Sequence, residues 1–369
     1  MRIAIIAHLK HAIAEPFAGG LEMHTHLLAQ ALTGRGHDVT LFASTRSNPA
    51  IGLEAICDET ALMATGIAEA NDIAFFREHH AYLRLMGEIR HRDFDIVHNN
   101  SLHYLPVALA DTIAAPMVTT LHTPPFCWLE SGIRLCRAQN MRFVAVSAAI
   151  RSMWSPIAAI DRVIANGVDL ARFPFRAQPD AEAYLVWYGR IVPEKGLHLA
   201  IEAARLVGLP LRFAGPISDR AYFDDVIAPL LGPEVEHVGH LDHPALARLI
   251  GGARAFLCTP RWEEPYGLVV AEALACGTPV AAFARGAIPD LVDARSGALA
   301  TPDDPRALAD AALAAMTFDR RQCRVRAEAI CDAEVMIDGY ETLYDELVDP
   351  AFTPRVATAW ARPPLMANG

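Results

Sequence analysis

The sequence predicts an α/β protein made of two doubly wound parallel-sheet domains, and three observations carry that prediction. Short, continuous apolar runs such as RIAIIAH (2–8) and DVTLFAS (38–44) alternate with stretches whose apolar residues recur at helical spacing. The alternation breaks at a turn-rich segment, RVIANGVDLARFPF (162–175), and then starts again. The chain of 369 residues is long for one domain and comfortable for two, each able to bury its own core. Strands apolar on both faces suit a parallel sheet covered by helices on both sides.

Taken in order, RIAIIAH leads through a glycine-containing loop to LEMHTHLLAQALTGRGH, where His24, Leu27, Leu28, Ala31 and Leu32 repeat at helical spacing and Gly34 and Gly36 end the helix. DVTLFAS follows, completing a β-loop-α-β unit. Further strands are expected at DIVHNN (95–100), MVTTLH (117–122) and RFVAVS (142–147). After the linker come YLVWYG (184–189), PLRFAG (210–215), VEHVGH (235–240), RAFLCT (254–259) and TPVAAF (278–283), separated by apolar helices. MIDGYETLYDELV (336–348) reads as a closing helix. The expected division is a first Rossmann-like domain over 1–170 and a second Rossmann-like domain over 171–345. A Pro-rich tail over 346–369 would pack back toward the first domain. Ligands of such sheets lie at the carboxyl ends of the strands, which places a cleft between the two domains.

Composition removes several function classes. A formal charge of −11 opposes an extended contact with nucleic acid, which needs a basic face. The seven cysteines are scattered and without a C-x-x-C pair, so neither a disulfide framework nor a zinc site is expected. No run of about eighteen uncharged apolar residues and no signal-peptide pattern occurs, and the expectation is a soluble, cytoplasmic protein. The basic stretch REHHAYLRLMGEIRHR (77–92) is read as a solvated helix face, with membrane association weak at most.

The chemistry concentrates in PRWEEPYGLVVAEALACGTPV (260–280). Pro265 suits a first helical position and Gly277 a helix end, which puts Glu264 near the N-cap and Glu272 two turns further on. A helical rise would separate them by roughly 12 Å, too far for the paired carboxylates of a glycosidase, which need about 5 to 9.5 Å. They read instead as two posts for a long polar ligand, with the free N–H groups of Tyr266, Gly267 and Leu268 between them. YGRIVPEKG (188–196) supplies cations at a strand end. Arg190 and Lys195 could hold a diphosphate, although Glu194 could also simply pair with Lys195 on a solvated loop. Gly19 and Gly20 allow close backbone approach to a phosphate or sugar, but no G-x-G-x-x-G follows any strand. At two other strand ends lie His122, followed by a Pro-stiffened loop and Trp128, and the polar cluster His98, Asn99, Asn100 and His103. His122 would hydrogen-bond a sugar hydroxyl, Trp128 would stack on an acceptor, and the cluster would face that acceptor. The D-F-D at 93–95 matches a metal-binding pattern, yet Asp95 opens an apolar strand, and no metal is expected.

In this order and spacing the motifs resemble the retaining nucleotide-sugar glycosyltransferases of the GT-B fold, in glycosyltransferase family four, over nearly the whole chain. EPYGLVVAEALACGTPV resembles that family's Glu-x7-Glu motif, GRIVPEKG its Arg/Lys element, the glycines before LLAQALTGRGHDVTLF its first βαβ unit, and GAIPDLV its late glycine loop. The resemblance implies that Glu272 binds the donor ribose, and Glu264 with the backbone of Tyr266 to Leu268 the donor sugar. Arg190 and Lys195 would neutralise the departing diphosphate, Gly19 and Gly20 would lie against the donor, and His122 would touch the sugar near its reacting face. The backbone around Gly239, His240 and Leu241 would meet the base. It further implies front-face transfer of a hexose from a nucleotide-diphosphate sugar, UDP-glucose favoured over GDP-mannose, with no metal and no cofactor. The acceptor is unknown, a soluble molecule or saccharide being favoured. Asp290 stands in GAIPDLV where the family more often has Glu. A 2-epimerase of the same fold, a two-Rossmann NAD dehydrogenase and a non-catalytic nucleotide-sugar binder are the alternatives.

Overall fold

The computed structural model of the chain describes residues 1–57 and 73–349. The strands are β1 (Arg2–Ile6), β2 (Asp38–Ser44), β3 (Leu53–Cys57), β4 (Ile96–Asn99), β5 (Met117–Leu121), β6 (Met141–Ala145) and β7 (Ile160–Val163) in the first half. The second half holds β8 (Leu185–Tyr188), β9 (Leu211–Ala214), β10 (Val235–His237), β11 (Ala255–Cys258), β12 (Val280–Phe283) and β13 (Gly297–Ala300). Between them run α1 (Gly20–Gly34), α2 (Ile73–Ile89), α3 (Tyr104–Ala108), α4 (Cys127–Leu135), α5 (Ala148–Trp154), α6 (Leu197–Val207) and α7 (Arg220–Tyr222). They are followed by α8 (His243–Gly252), α9 (Leu268–Ala275), α10 (Ile288–Leu291), α11 (Pro305–Ala315), α12 (Arg320–Ile330) and α13 (Ala333–Val348).

Two all-parallel sheets result, ordered β3-β2-β1-β4-β5-β6-β7 and β10-β9-β8-β11-β12-β13. Each reverses its winding beside its first strand, so the crevices at the ends of β1/β4 and β8/β11 face the same space. The central strands carry wholly buried side chains, as in Ile3, Ile5, Ile6 and Phe256, Leu257, which is why they read as unbroken apolar runs. Three strands lay outside that reading. In β3 and β7, at the two edges of the first sheet, every position but Ile56 is exposed or partly exposed, and β13 is the small-residue run GALA. Part of the segment read as linker is therefore strand, since β7 ends at Val163.

The chain crosses between the domains twice, side by side. Val168 N–H donates to Cys331 O (2.7 Å) and Ala333 N–H to Val168 O (3.2 Å). Gly167 is required there: a Cβ would lie 2.3 Å from Ala333 Cα. After the second crossing α13 returns to the first domain, where Met336, Ile337, Tyr340, Leu343 and Tyr344 share a core with Ile3, Ile5 and Leu28. Arg35 clamps it by pairing with Glu334, Asp338 and Glu341, and Arg162 pairs with Glu346. The closing helix, divided by sequence with the second domain, thus packs on the first. Residues 350–369, most of the Pro-rich tail, lie outside the described residues. None of the described helices is long and apolar enough to cross a membrane.

Candidate functional site

Between the two sets of strand ends lies a cleft of about 1010 Å³ lined from both domains. It gathers Gly19, Gly20, His122 and Trp128 from the first domain, and Arg190, Lys195, His240, Leu241, Glu264, Tyr266, Gly267, Leu268 and Glu272 from the second. His98, Asn99, Asn100 and Gly239 are not among its lining residues, whereas His103 of the same polar cluster is.

Lys195 sits on a short turn after β8, and its Nζ lies 2.6 Å from Glu264 Oε2. The alternative pairing with Glu194 does not form; the Glu194 carbonyl instead accepts from Arg261 N–H (2.8 Å). Trp262 Nε1–H donates to the same Glu264 oxygen (3.0 Å), and the ammonium lies 5.0 Å from the Trp262 ring centroid. The Lys195 backbone is held in turn: its carbonyl accepts from Thr259 Oγ1 (2.8 Å), which accepts from Trp187 Nε1–H (3.0 Å).

The expected helix start needs correction. Gly267, with φ of 97°, is the N-cap of α9, so the helix begins at Leu268 rather than near Pro265. Its first carbonyl bonds run from Val270 and Ala271 N–H to Gly267 O, and the residues at and before the helix start, Tyr266 to Val269, line the cleft. Because residues 264–267 are not helical, helical rise does not measure the distance between the two glutamates. What fixes Glu264 is the late glycine loop: Ala287 N–H donates to Glu264 O (2.9 Å) and Gly286 N–H to Glu263 Oε2 (2.7 Å). Gly286 has φ of 58°, and a Cβ there would lie 2.2 Å from Glu264 O. Asp290 of that loop is exposed and offers its carbonyl to Arg326 (2.6 Å), away from the cleft lining.

Glu272, 4% exposed, lies within α9 with no charge partner among the described residues, and burial pushes its carboxyl well above the usual carboxylate range. A ligand offering hydroxyl donors would relieve that cost.

In the first domain His122 directly follows β5, and its Nε2 lies 2.8 Å from Asn100 Oδ1. That oxygen can only accept, so His122 carries its proton on Nε2 and is left with Nδ1 as an acceptor. Burial holds its pKa well below normal, helped by the nearby His24, so the ring is neutral. The acceptor-facing reading of His98, Asn99 and Asn100 is corrected here. All three are at most 1% exposed. His98 bonds to Tyr344 and to Thr120 (2.8 Å), Asn99 to Thr119 (3.2 Å), and Asn100 orients His122. They tie the end of β4 to β5 and α13 rather than meet a ligand. Trp128, 51% exposed, stays on the cleft wall beside Phe75, with ring centroids 4.9 Å apart. His240 reaches across the domains to Phe17 O (3.0 Å). In the D-F-D stretch, Arg2 pairs with Asp93 (2.6 Å) and its N–H donates to Asp95 (2.6 Å), which gives both carboxylates structural work.

One pair went unread in the sequence. Glu22, in the first turn of α1, is 4% exposed, lines the cleft and bonds to His8 at the end of β1. The only local signal was an acidic residue three positions after the Gly19 N-cap.

This two-domain arrangement, with a cation and carboxylate pair and a helix start on the second-domain wall of an interdomain cleft, defines a GT-B glycosyltransferase, and comparison with known proteins agrees. The family model described as Glycosyltransferase Family 4 matches residues 18–172, and the model described as Glycosyl transferases group 1 matches residues 171–329. Glycogen synthase of Mycobacterium tuberculosis is 29% identical over 355 residues, covering 84% of this chain and 85% of its own. D-inositol 3-phosphate glycosyltransferase of Nocardioides sp. is 32% identical over 206 residues, 47% of this chain and 44% of that protein. Among solved structures, sucrose-phosphate synthase from Thermosynechococcus elongatus superposes with a TM-score of 0.74 at 21% identity, covering 94% and 98% of the two chains. HepE of Anabaena in complex with UDP-glucose superposes with a TM-score of 0.70 at 18% identity, covering 93% and 99%. The chain belongs to glycosyltransferase family four, and it is a nucleotide-sugar glycosyltransferase.

Proposed function

We propose that the protein is a retaining hexosyltransferase that takes a UDP-sugar, UDP-glucose in preference to GDP-mannose, and transfers the hexose to a soluble or saccharide acceptor without a metal or cofactor. The observation that carries this reading is the joint placement of Lys195, Glu264 and the start of α9 in one cleft with Arg190 and the buried Glu272. In this reading Glu272 takes the ribose hydroxyls, which supply the donors its buried carboxylate lacks. Glu264 and the α9 amides take the sugar hydroxyls, with Tyr266 and Gly267 setting the approach. Gly19 and Gly20 lie against the diphosphate, and the backbone at Gly239, His240 and Leu241 meets the base. Trp128 offers the acceptor a stacking face. A cytoplasmic location goes with such a donor.

The chemistry follows from where charge develops. As the bond between the anomeric carbon and the diphosphate oxygen breaks, its electron pair leaves on the diphosphate, and Arg190 and Lys195 stabilise that charge more in the transition state than in the ground state. The acceptor oxygen bonds to the anomeric carbon on the same face, and its proton passes to a donor phosphate oxygen. The Nδ1 acceptor of His122 holds a sugar hydroxyl close by. HepE, a protein of this fold, forms a complex with UDP-glucose, which supports a UDP-sugar as donor.

A donor and acceptor screen read by mass spectrometry, with and without chelator, tests the reading. Hexose transfer from UDP-glucose that survives chelation is expected; transfer only from another nucleotide class, or only with added metal, would contradict it. NMR of donor incubated alone separates transferase from 2-epimerase, since the epimerase would change the sugar at C2.

A further inference from the structure

Besides Glu264 and Glu272, the cleft holds a fixed carboxylate on the first-domain side that the donor-binding scheme does not use. Glu22 is 4% exposed, one of its oxygens bonds to His8 Nε2, and the other lies beside Gly19. A Cβ placed on Gly19 would be 3.1 Å from Glu22 Oε2 and 3.9 Å from Arg190 Nε. The carboxylate of the first domain and the guanidinium of the second therefore approach the same glycine from opposite sides of the cleft.

The protonation state of the pair follows from its partners. Lys10 N–H donates to His8 Nδ1 (3.1 Å), so that nitrogen is the acceptor of the ring and the proton sits on Nε2. Nε2–H donates to Glu22 Oε1, and the ring has no proton left to give. The pair is thus a neutral histidine holding an ionised carboxylate. The hydrogen bond from His8 keeps the Glu22 carboxyl below its usual range, although burial, the largest single influence, acts the other way. The first turn of α1 adds favourable amide dipoles.

A buried negative charge beside the position of a diphosphate is unfavourable for binding the substrate in its ground state. It becomes favourable when the hexose acquires positive charge. We infer that Glu22, positioned by His8, is a catalytic carboxylate that faces the anomeric carbon of the bound hexose and stabilises its oxocarbenium character. This inference rests on the proposed use of a nucleotide-diphosphate hexose. Glu22 forms and breaks no bond in the step. The bond from the anomeric carbon to the diphosphate oxygen breaks with its electron pair staying on the diphosphate. The oxygen of the acceptor, or of water in its absence, bonds to the same carbon, and the proton of that hydroxyl or water goes to the departing diphosphate. Such an arrangement spends binding affinity on the transition state alone.

The fingerprint is a pair of opposite effects, which a merely structural role would not produce. Glu22→Gln keeps the shape and removes the charge. UDP affinity, measured by calorimetry, should tighten severalfold because a repulsive charge beside the diphosphate is gone. UDP release from UDP-glucose in water should fall by on the order of 10²-fold, the scale of removing one preorganised charge contact. His8→Asn should leave Glu22 charged but unsupported and move the acid limb of UDP release to higher pH. Thermal melting identifies any variant that has not folded, and His8→Asn carries the test if Glu22→Gln is such a variant. Unchanged or weaker UDP binding together with unchanged UDP release in folded Glu22→Gln overturns the inference, as does an unmoved acid limb in folded His8→Asn. If the wild-type protein neither binds UDP nor releases it from UDP-glucose, the proposed donor is wrong instead, and the two failures are distinguishable.

Discussion

Lys195 Nζ and Glu264 Oε2, 69 residues apart, lie 2.6 Å from each other in the free cleft, so the group proposed for the diphosphate and the group proposed for the sugar occupy each other before any donor arrives. Their side chains are 20% and 12% exposed, which makes this more than a screened surface pair. Donor binding must share or divide the pair, and each partner is held for that exchange. Trp262 supports Glu264 through its indole N–H, and Thr259 supports the Lys195 carbonyl.

Removing the cation should cost more in turnover than in affinity. Lys195→Met is expected to lower kcat by about 10²- to 10³-fold, the range for loss of one charge-stabilising contact. It also leaves Glu264 with only the indole donor, so the loss in Lys195→Met/Glu264→Gln should be smaller than the sum of the two single losses. Steady-state kinetics of the three variants measure this, and strictly additive losses would show that the pair does not act as a unit.

Glu272 gives a pH dependence with a definite sign. Its pKa in the free protein is raised by burial, and ribose hydroxyls donating to the carboxylate favour the ionised form, so nucleotide binding lowers that pKa and releases a proton. UDP affinity should therefore rise as pH rises through the raised pKa of free Glu272, then level off, and weaken below it. Calorimetry across pH checks this; in Glu272→Gln the dependence should flatten and binding weaken by roughly tenfold, the scale of a hydrogen bond to a charged group.

Buried neutral histidines predict acid lability. His24 and His98 have pKa values lowered by burial from 6.5 to about 4 and about 3. A folded pKa below the unfolded one means stability that is present above pH 6.5 and lost as pH falls toward the folded value, at up to about 1.4 kcal/mol per pH unit for each group. Melting temperature should drop between pH 6.5 and 4, and His98→Gln should shallow that slope. A melting temperature constant over the range would contradict the neutral assignment.

Gly286→Ala should inactivate without unfolding. The residue has positive φ, and the added Cβ would meet the Glu264 backbone at 2.2 to 2.8 Å, so the loop must shift and carry Glu264 with it. Turnover is expected to fall by at least tenfold while the melting temperature changes by only a few degrees, consistent with about 1 to 3 kcal/mol of local strain. Wild-type turnover in this variant would show that the loop does not position Glu264.

What the sequence made legible was what a one-dimensional period can encode. The central strands are buried on both faces and read as apolar runs, whereas β3, at an edge with positions Leu53, Glu54 and Ala55 partly or fully exposed, carried no such run. Glu264, Glu272, Arg190 and Lys195 were found because they sit within two short motifs that follow strands, and the structure brings all four to one cleft. The helix start was misplaced because Pro265 is a local signal, while Gly267 takes the N-cap through positive φ in a turn packed under Ile288 and Leu291. His98 looked like Asn100 and His122 in polarity; only the return of α13, with Tyr344 some 246 residues away, makes it a core group. Glu22 escaped for the same reason, since its partner His8 lies on another element.

The account turns on Arg190 and Lys195 gripping a nucleoside diphosphate in this cleft, and calorimetric titration with UDP of the wild-type protein and of Arg190→Ala/Lys195→Ala tests that most directly. Micromolar binding by the wild type and a loss of at least 100-fold in the double variant, about 2.7 kcal/mol, is the expected result. Equal UDP binding by both folded proteins, or none by the wild type, would contradict it.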